Sequence, residues 1–109
     1  MKVEYYITPD SKKPLTKWLD RLRDRQAKAA IFARIARVQI GLLGDAKSIG
    51  EGVYELRIDV GAGYRVYYAR SGKEIVLLLC GGDKKTQTAD TIKAKEYWND
   101  YKKRTKETE

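Results

Sequence analysis

From Val53 to Asp59 apolar and polar positions alternate, with Tyr54, Leu56 and Ile58 on one side and Glu55, Arg57 and Asp59 on the other. This is the period-two pattern of a half-buried strand. The segment Asp59-Val60-Gly61-Ala62-Gly63 can adopt positive φ and turn the chain back into a second run, Tyr64 to Ala69. There Val66 and Tyr68 continue the core face, while Arg65 and Tyr67 take the opposite one. After a turn at Ser71-Gly72, the run Ile75 to Cys80 has no alternation, which predicts a central strand covered on both faces. It ends in Gly81-Gly82-Asp83-Lys84-Lys85, flexible backbone that carries two cations.

Upstream, Val3 to Ile7 is short and rich in β-branched and aromatic residues, and Thr8-Pro9-Asp10 stops it, so it predicts a first strand paired with the apolar run near residue 77. Beyond an Asp10 or Ser11 cap, Leu15, Trp18, Leu19 and Leu22 fall at i, i+3, i+4 and i+7 and predict an amphipathic helix. A second helical pattern runs through Ala27, Ile31, Ile35, Val38 and Leu42 until Gly41 and Gly44 end it. The boundary between them, around Arg23 to Gln26, allows a helical hairpin or one kinked helix; in either form the pair would cover the apolar face of the sheet. A final helix starts near Thr86 or Thr88, with Asp90 favouring its amino end, and presents Ala94, Tyr97, Trp98 and Tyr101 as one stripe from which Ile92 departs. Beyond Lys102 the polar tail is expected to fray.

At 109 residues the chain has room for one domain, with a core that needs no metal or disulfide. Its single cysteine, Cys80, sits in an apolar run and reads as a small core residue in a reduced, cytoplasmic setting. There is no histidine, so the commonest general base and histidine-based metal sites are excluded. No cofactor or metal is expected. The amino terminus is too polar for a signal peptide, and no apolar run reaches membrane-spanning length, so no membrane association is expected. Lysine and arginine outnumber aspartate and glutamate by 23 to 15, a net charge of +8 that favours a polyanionic partner such as nucleic acid.

Four residues stand out as chemistry. Strand alternation and the loop after the third run can bring Arg57, Arg65, Lys84 and Lys85 to one end of a sheet. Arginine grips two phosphate oxygens at once and lysine adds compact charge, so such a set can neutralise a phosphodiester in its pentacovalent state. Glu55 shares the face of Arg57 and can either accept a proton or pair with a neighbouring arginine. Tyr67 can stack on a base or serve as packing. Arg34 and Arg37 on the second helix, with Arg21, Arg23, Arg25 and Lys28 near the helix boundary, read as solvated surface or as charges that steer RNA or bind an acidic partner. The glycine-rich stretch lacks the Walker spacing, which argues against ATP hydrolysis.

The order and spacing of GVYELRIDVGAGYRVYYARSGKEIVLLLCGGDKKTQTADTIKAKEYW, preceded by WLDRLRDRQAKAAIFARIARVQIGLLGDAKSIGEG, closely resemble the addiction-module killer proteins of the RelE/ParE superfamily, the HigB-like toxins of type II toxin–antitoxin pairs. The resemblance implies an α+β, RelE-like β-α-α-β-β-β-α domain over residues 1–104, with a helical hairpin packed on a curved, mainly antiparallel sheet and a polar tail at 105–109. It also implies an inhibitor of bacterial growth. Many relatives enter the ribosomal A site and cut mRNA without metal, activating the ribose 2′-hydroxyl against the adjacent phosphate. Carried over by position, Arg57 and Arg65 match basic residues of RelE-like nucleases and Lys84 or Lys85 stands where another cation occurs. With no tyrosine at the start of the last helix, Glu55 is the substitute general base. A cognate antitoxin, of helix-turn-helix type, would join the toxin in a hetero-oligomer, with mRNA and the ribosome as the targets. The alternatives are a ParE-like inhibitor of DNA gyrase and a small basic RNA-binding module.

Overall fold

The run without alternation becomes the middle of the molecule. In the structure, a computed structural model that describes residues 1–108, Ile75–Asp83 forms a strand buried along most of its length. The full order is β1 (Lys2–Tyr5), α1 (Pro14–Arg21), α2 (Arg25–Gln39), β2 (Ala46–Gly50), β3 (Val53–Ile58), β4 (Tyr64–Ser71), β5 (Ile75–Asp83), a single 3₁₀ turn (Lys84–Thr86) and α3 (Gln87–Thr108). The sheet runs β1-β5-β4-β3-β2, with β1 parallel to β5 and every other pair antiparallel. The fold is therefore α+β on a mixed sheet.

Helices cover both faces, which is why β5 has no polar side. Val76 and Leu78 point into a core shared with Leu15 and Leu19 of α1, Ile31, Ile35 and Val38 of α2, and Leu56, Val66 and Tyr68 of the sheet. Leu77 and Leu79 point the other way, against Ala94 and Trp98 of α3, together with Tyr6, Val53, Tyr67 and Ala69. Complete burial of one such aliphatic side chain contributes about 1.5–3 kcal/mol, so the two layers together supply the hydrophobic driving force of the domain.

Local signals account for most boundaries. Asp24 accepts from the Ala27 amide at 3.0 Å and caps α2, while Leu22 is extended, so the two amino-terminal patterns are separate helices and not one kinked helix. Asp83 caps the 3₁₀ turn by accepting from Lys85 and Thr86, and Thr86 bonds back to the Asp83 amide.

Several expectations are corrected. The sheet has five strands where the family resemblance implied four; β2 was missed because AKSIG is short, half-exposed and low in β-branched residues. Helix α1 begins at Pro14 with no side-chain cap, so neither Asp10 nor Ser11 starts it. Helix α2 stops at Gln39, and Leu42 stands exposed. Beyond Lys102, α3 continues through Thr108, held by Arg104, which bonds Asp100 and the Ile7 carbonyl, and by Thr105, which donates to Tyr101. Glu109 lies outside the described residues.

Candidate active site

Antiparallel pairing sets Arg57 directly opposite Arg65, with Glu55 opposite Tyr67 on the same sheet face. Like charges facing each other across a ladder repel, and here each arginine is matched by its own carboxylate. The Arg57 guanidinium holds Asp45 Oδ1, at 3.2 Å from Nε and 2.9 Å from its terminal nitrogen. Arg65 Nε lies 3.2 Å from Glu55 Oε1, and Arg57 Nε lies 4.0 Å from the same oxygen. The other Glu55 oxygen accepts from Gln87 Nε2 at 3.2 Å, at the first turn of α3. Glu55 is only 2% exposed, and it stands out as the polar residue buried among the core side chains.

Next along the sheet, Gly82 of β5 faces Arg65. A Cβ at this glycine would overlap the Asp90 carboxylate, which accepts from Thr86, so a bare backbone is what lets the start of α3 close over the strand. The 3₁₀ turn then throws Lys84 across the β3–β4 hairpin. Gly63 has φ +81, and a Cβ there would stand 2.8 Å from Lys84 Cε, so the lysine stem lies on the hairpin backbone.

These elements enclose an open cleft of about 330 Å³. Arg57, Arg65 and Lys84 line it together with Asp45, Asp59 and Tyr64. Its chemistry is that of an anion cradle: two forked guanidiniums and an ammonium line it, with Arg57 oriented by Asp45 on the wall and Arg65 by the buried Glu55.

The remaining candidates fall elsewhere. Lys85 is exposed on the same turn, outside the cleft lining. Tyr67 is fully buried beneath α3, so it offers no ring face for a base to stack on; burial pushes its hydroxyl up to about 12. Arg34 is turned inward and donates to the carbonyls of Arg57 (2.6 Å), Leu43 (2.8 Å) and Asp45 (3.4 Å), which makes it a clamp that fixes the cleft wall, while Arg37 is exposed. Cys80 is buried with its thiol 3.8 Å from the Asp90 carbonyl, and burial pushes it up to about 12, the state of an inert core thiol.

Sequence reasoning missed Asp45, Asp59 and Gln87. Asp45 immediately precedes β2, the unforeseen strand, whose pairing of Ala46 with Leu56 brings it beside Arg57, and the Arg57 amide donates to its carbonyl. Gln87 is a neutral residue just past the cationic turn, and only the fold reveals its approach to Glu55. Among the described residues no cluster of cysteine, aspartate and glutamate could hold a metal ion, and no helix is long and apolar enough to cross a membrane.

A basic cleft at the open end of a helix-covered mixed sheet is thus the defining feature of this protein. The chain belongs to the family described as Phage derived protein Gp49-like (DUF891), whose model matches residues 17–96, a span that contains every cleft residue named above. This phage-derived family is a toxin-like one, of the RelE/HigB addiction-module type. The chain is also similar to an uncharacterized protein of Haemophilus influenzae, 54% identical over 78 residues that cover 72% of this chain and 79% of that protein.

Proposed function

We propose that the protein is the toxin of a type II toxin–antitoxin pair and acts as a metal-independent, ribosome-dependent mRNA endonuclease. The observation that carries this reading is the convergence of Arg57, Arg65 and Lys84 on one cleft. In the reaction the ribose 2′-oxygen attacks the adjacent phosphorus, the bond to the 5′-oxygen breaks, and a cyclic phosphate and a 5′-hydroxyl result. Arg57 and Arg65 would grip the nonbridging oxygens as their charge grows, and Lys84 would stand by the leaving oxygen.

Glu55 is best read as a positioning residue. Its oxygens are engaged by Arg65 and Gln87, away from the space where substrate would sit. Of the two carboxylates on the cleft wall, Asp45 is held by Arg57, whereas Asp59 is exposed and has no ion pair among the described residues. Asp59 is the acceptor available for the 2′-hydroxyl proton.

A toxin-like family implies an antitoxin. Phe32, Ile40 and Leu42, large apolar residues left exposed on and after α2, would suit an amphipathic antitoxin segment, with Arg25, Lys28 and Arg37 complementing its acidic flank.

The test is mRNA integrity in a bacterial translation extract given purified protein, with ribosome-free RNA beside it. Wild type is compared with Arg65→Ala and with Arg65→Lys, which keeps a cation beside Glu55. Cuts within translated codons that both variants lose while staying folded support the reading. Intact mRNA with folded wild-type protein overturns it and directs the next assay to gyrase supercoiling.

A further inference from the structure

A second basic groove, separate from the cleft, lies between α1 and α3. Strand β1 pairs with β5 only as far as Leu78, where the Tyr6 amide makes the last bond to the Leu78 carbonyl. From Leu79 to Asp83 the strand keeps β4 as its neighbour and has no strand on its other side. Helices α1 and α3, which pack on opposite faces of the sheet, flank that unpaired stretch and leave a groove of about 310 Å³ with Cys80 and Gly81 at its floor.

Helical spacing explains what lines it. On α1, Pro14, Lys17 and Arg21 follow at i, i+3 and i+7 and form one stripe beside the core stripe of Leu15 and Leu19. On α3, Asp90, Lys93 and Tyr97 repeat that spacing. Trp18 packs against Gly81, where a Cβ would overlap the indole, and its half-buried ring joins the groove lining.

The charges here differ from those in the cleft. Arg57 and Arg65 each have a carboxylate, whereas Lys17, Arg21 and Lys93 have none within ion-pair distance among the described residues. Lys12 at the rim pairs with exposed Asp10. The acidic residue of the lining, Asp90, accepts from Thr86 and offsets part of the charge of Lys93, one helical turn away, which leaves the lining with an excess of cations. Three cations without a close ion pair among the described residues, set around aromatic rings, form the combination that holds single-stranded nucleic acid, with phosphates on the cations and bases against the rings. The Trp18 ring also packs 6.1 Å from that of Tyr64, a cleft residue, so the groove and the cleft adjoin through one aromatic pair.

We propose that this groove is a second RNA contact, which takes the backbone of a single strand whose neighbouring phosphate occupies the cleft. The inference rests on the nuclease reading and extends it from the scissile position to the path of the strand.

The experiment measures binding of a fluorescein-labelled decauridylate to the full chain across a salt series, for wild type, Lys17→Gln/Arg21→Gln and Arg37→Gln, alongside mRNA cutting in the extract. Both altered residues of the double variant are solvent-facing, and circular dichroism confirms its fold. The expected result is weaker binding with a salt slope shallower by about 1.4, about 0.7 for each lost phosphate contact on a single strand. Quenching of Trp18 fluorescence by the oligonucleotide, absent in Trp18→Phe, is expected as well. A double variant that binds with wild-type affinity and slope overturns the inference, and if wild type still cuts mRNA the nuclease reading survives. Wild type that neither binds the oligonucleotide nor cuts mRNA overturns both.

Discussion

Glu55 and Arg65 meet diagonally across the β3–β4 ladder, with Oε1 3.2 Å from Nε and the two side chains only 3% and 12% exposed. Removing one member of a buried pair strands the other charge in a poor solvent, at about 3–5 kcal/mol. Glu55→Ala is expected near the lower bound, because Arg65 keeps some access to water. In urea melts, Arg65→Ala combined with Glu55→Ala should cost clearly less than the sum of the single changes. Additive losses would refute the coupling.

Arg34 and Arg37 sit one helical turn apart and should behave oppositely. Arg34 donates to three carbonyls of the cleft wall, and its loss leaves those acceptors without their charged donor. We expect Arg34→Ala to lower stability by about 2 kcal/mol, within the range for bonds to charged groups. Exposed Arg37→Ala should leave the melting curve within about 0.5 kcal/mol of wild type. Equal stabilities for the two variants would remove Arg34 from its structural role.

Gly82→Ala is expected to destabilise the protein by about 1–3 kcal/mol, the usual cost of overpacking, because the new methyl must displace Asp90 and Thr86. The start of α3 should loosen with it. Hydrogen exchange at the amides of Thr88 to Thr91 would rise, and unchanged protection there would show that the strand and helix are not so tightly seated.

Alkali should unfold the protein from within. Cys80 is raised from 9.0 to about 12 by burial, so the native state keeps its proton where the unfolded chain has lost it. Stability is therefore fully present below about pH 9 and falls as pH rises toward 12, by about 1.4 kcal/mol per pH unit for the group. Tyr67, raised from 10.0 to about 12, adds in the same direction. Cys80→Ala should flatten the stability profile between pH 9 and 10, and native protein at pH 8 should resist iodoacetamide until denatured. Rapid native alkylation would contradict the buried thiol.

The sheet was legible where burial is one-sided or complete. The alternation of Tyr54, Leu56 and Ile58 and the unbroken run to Cys80 reflect what packs above and below each strand. β2 left no such trace, since an edge strand half in water needs little apolar character. The cations of the cleft could be read from strand parity and from the turn after β5. Their partners could not: Asp45 reaches Arg57 through the pairing of β2, which left no pattern, and Gln87 reaches Glu55 from a segment far along the chain. For the same reason Tyr67 looked available for stacking, because parity gives the face of a strand but not whether a later helix will cover it.

The parallel pairing of β1 with β5 joins residues 2–5 to residues 75–78. During synthesis the first strand therefore emerges long before β5, its neighbour in the sheet, and loops that long close slowly. The cleft is finished later still, when Lys84 and Gln87 arrive with the start of α3. Under the proposed toxin reading, the chain is in this way built with its working parts completed late, which gives any co-synthesised partner time to meet it before the arginines are set.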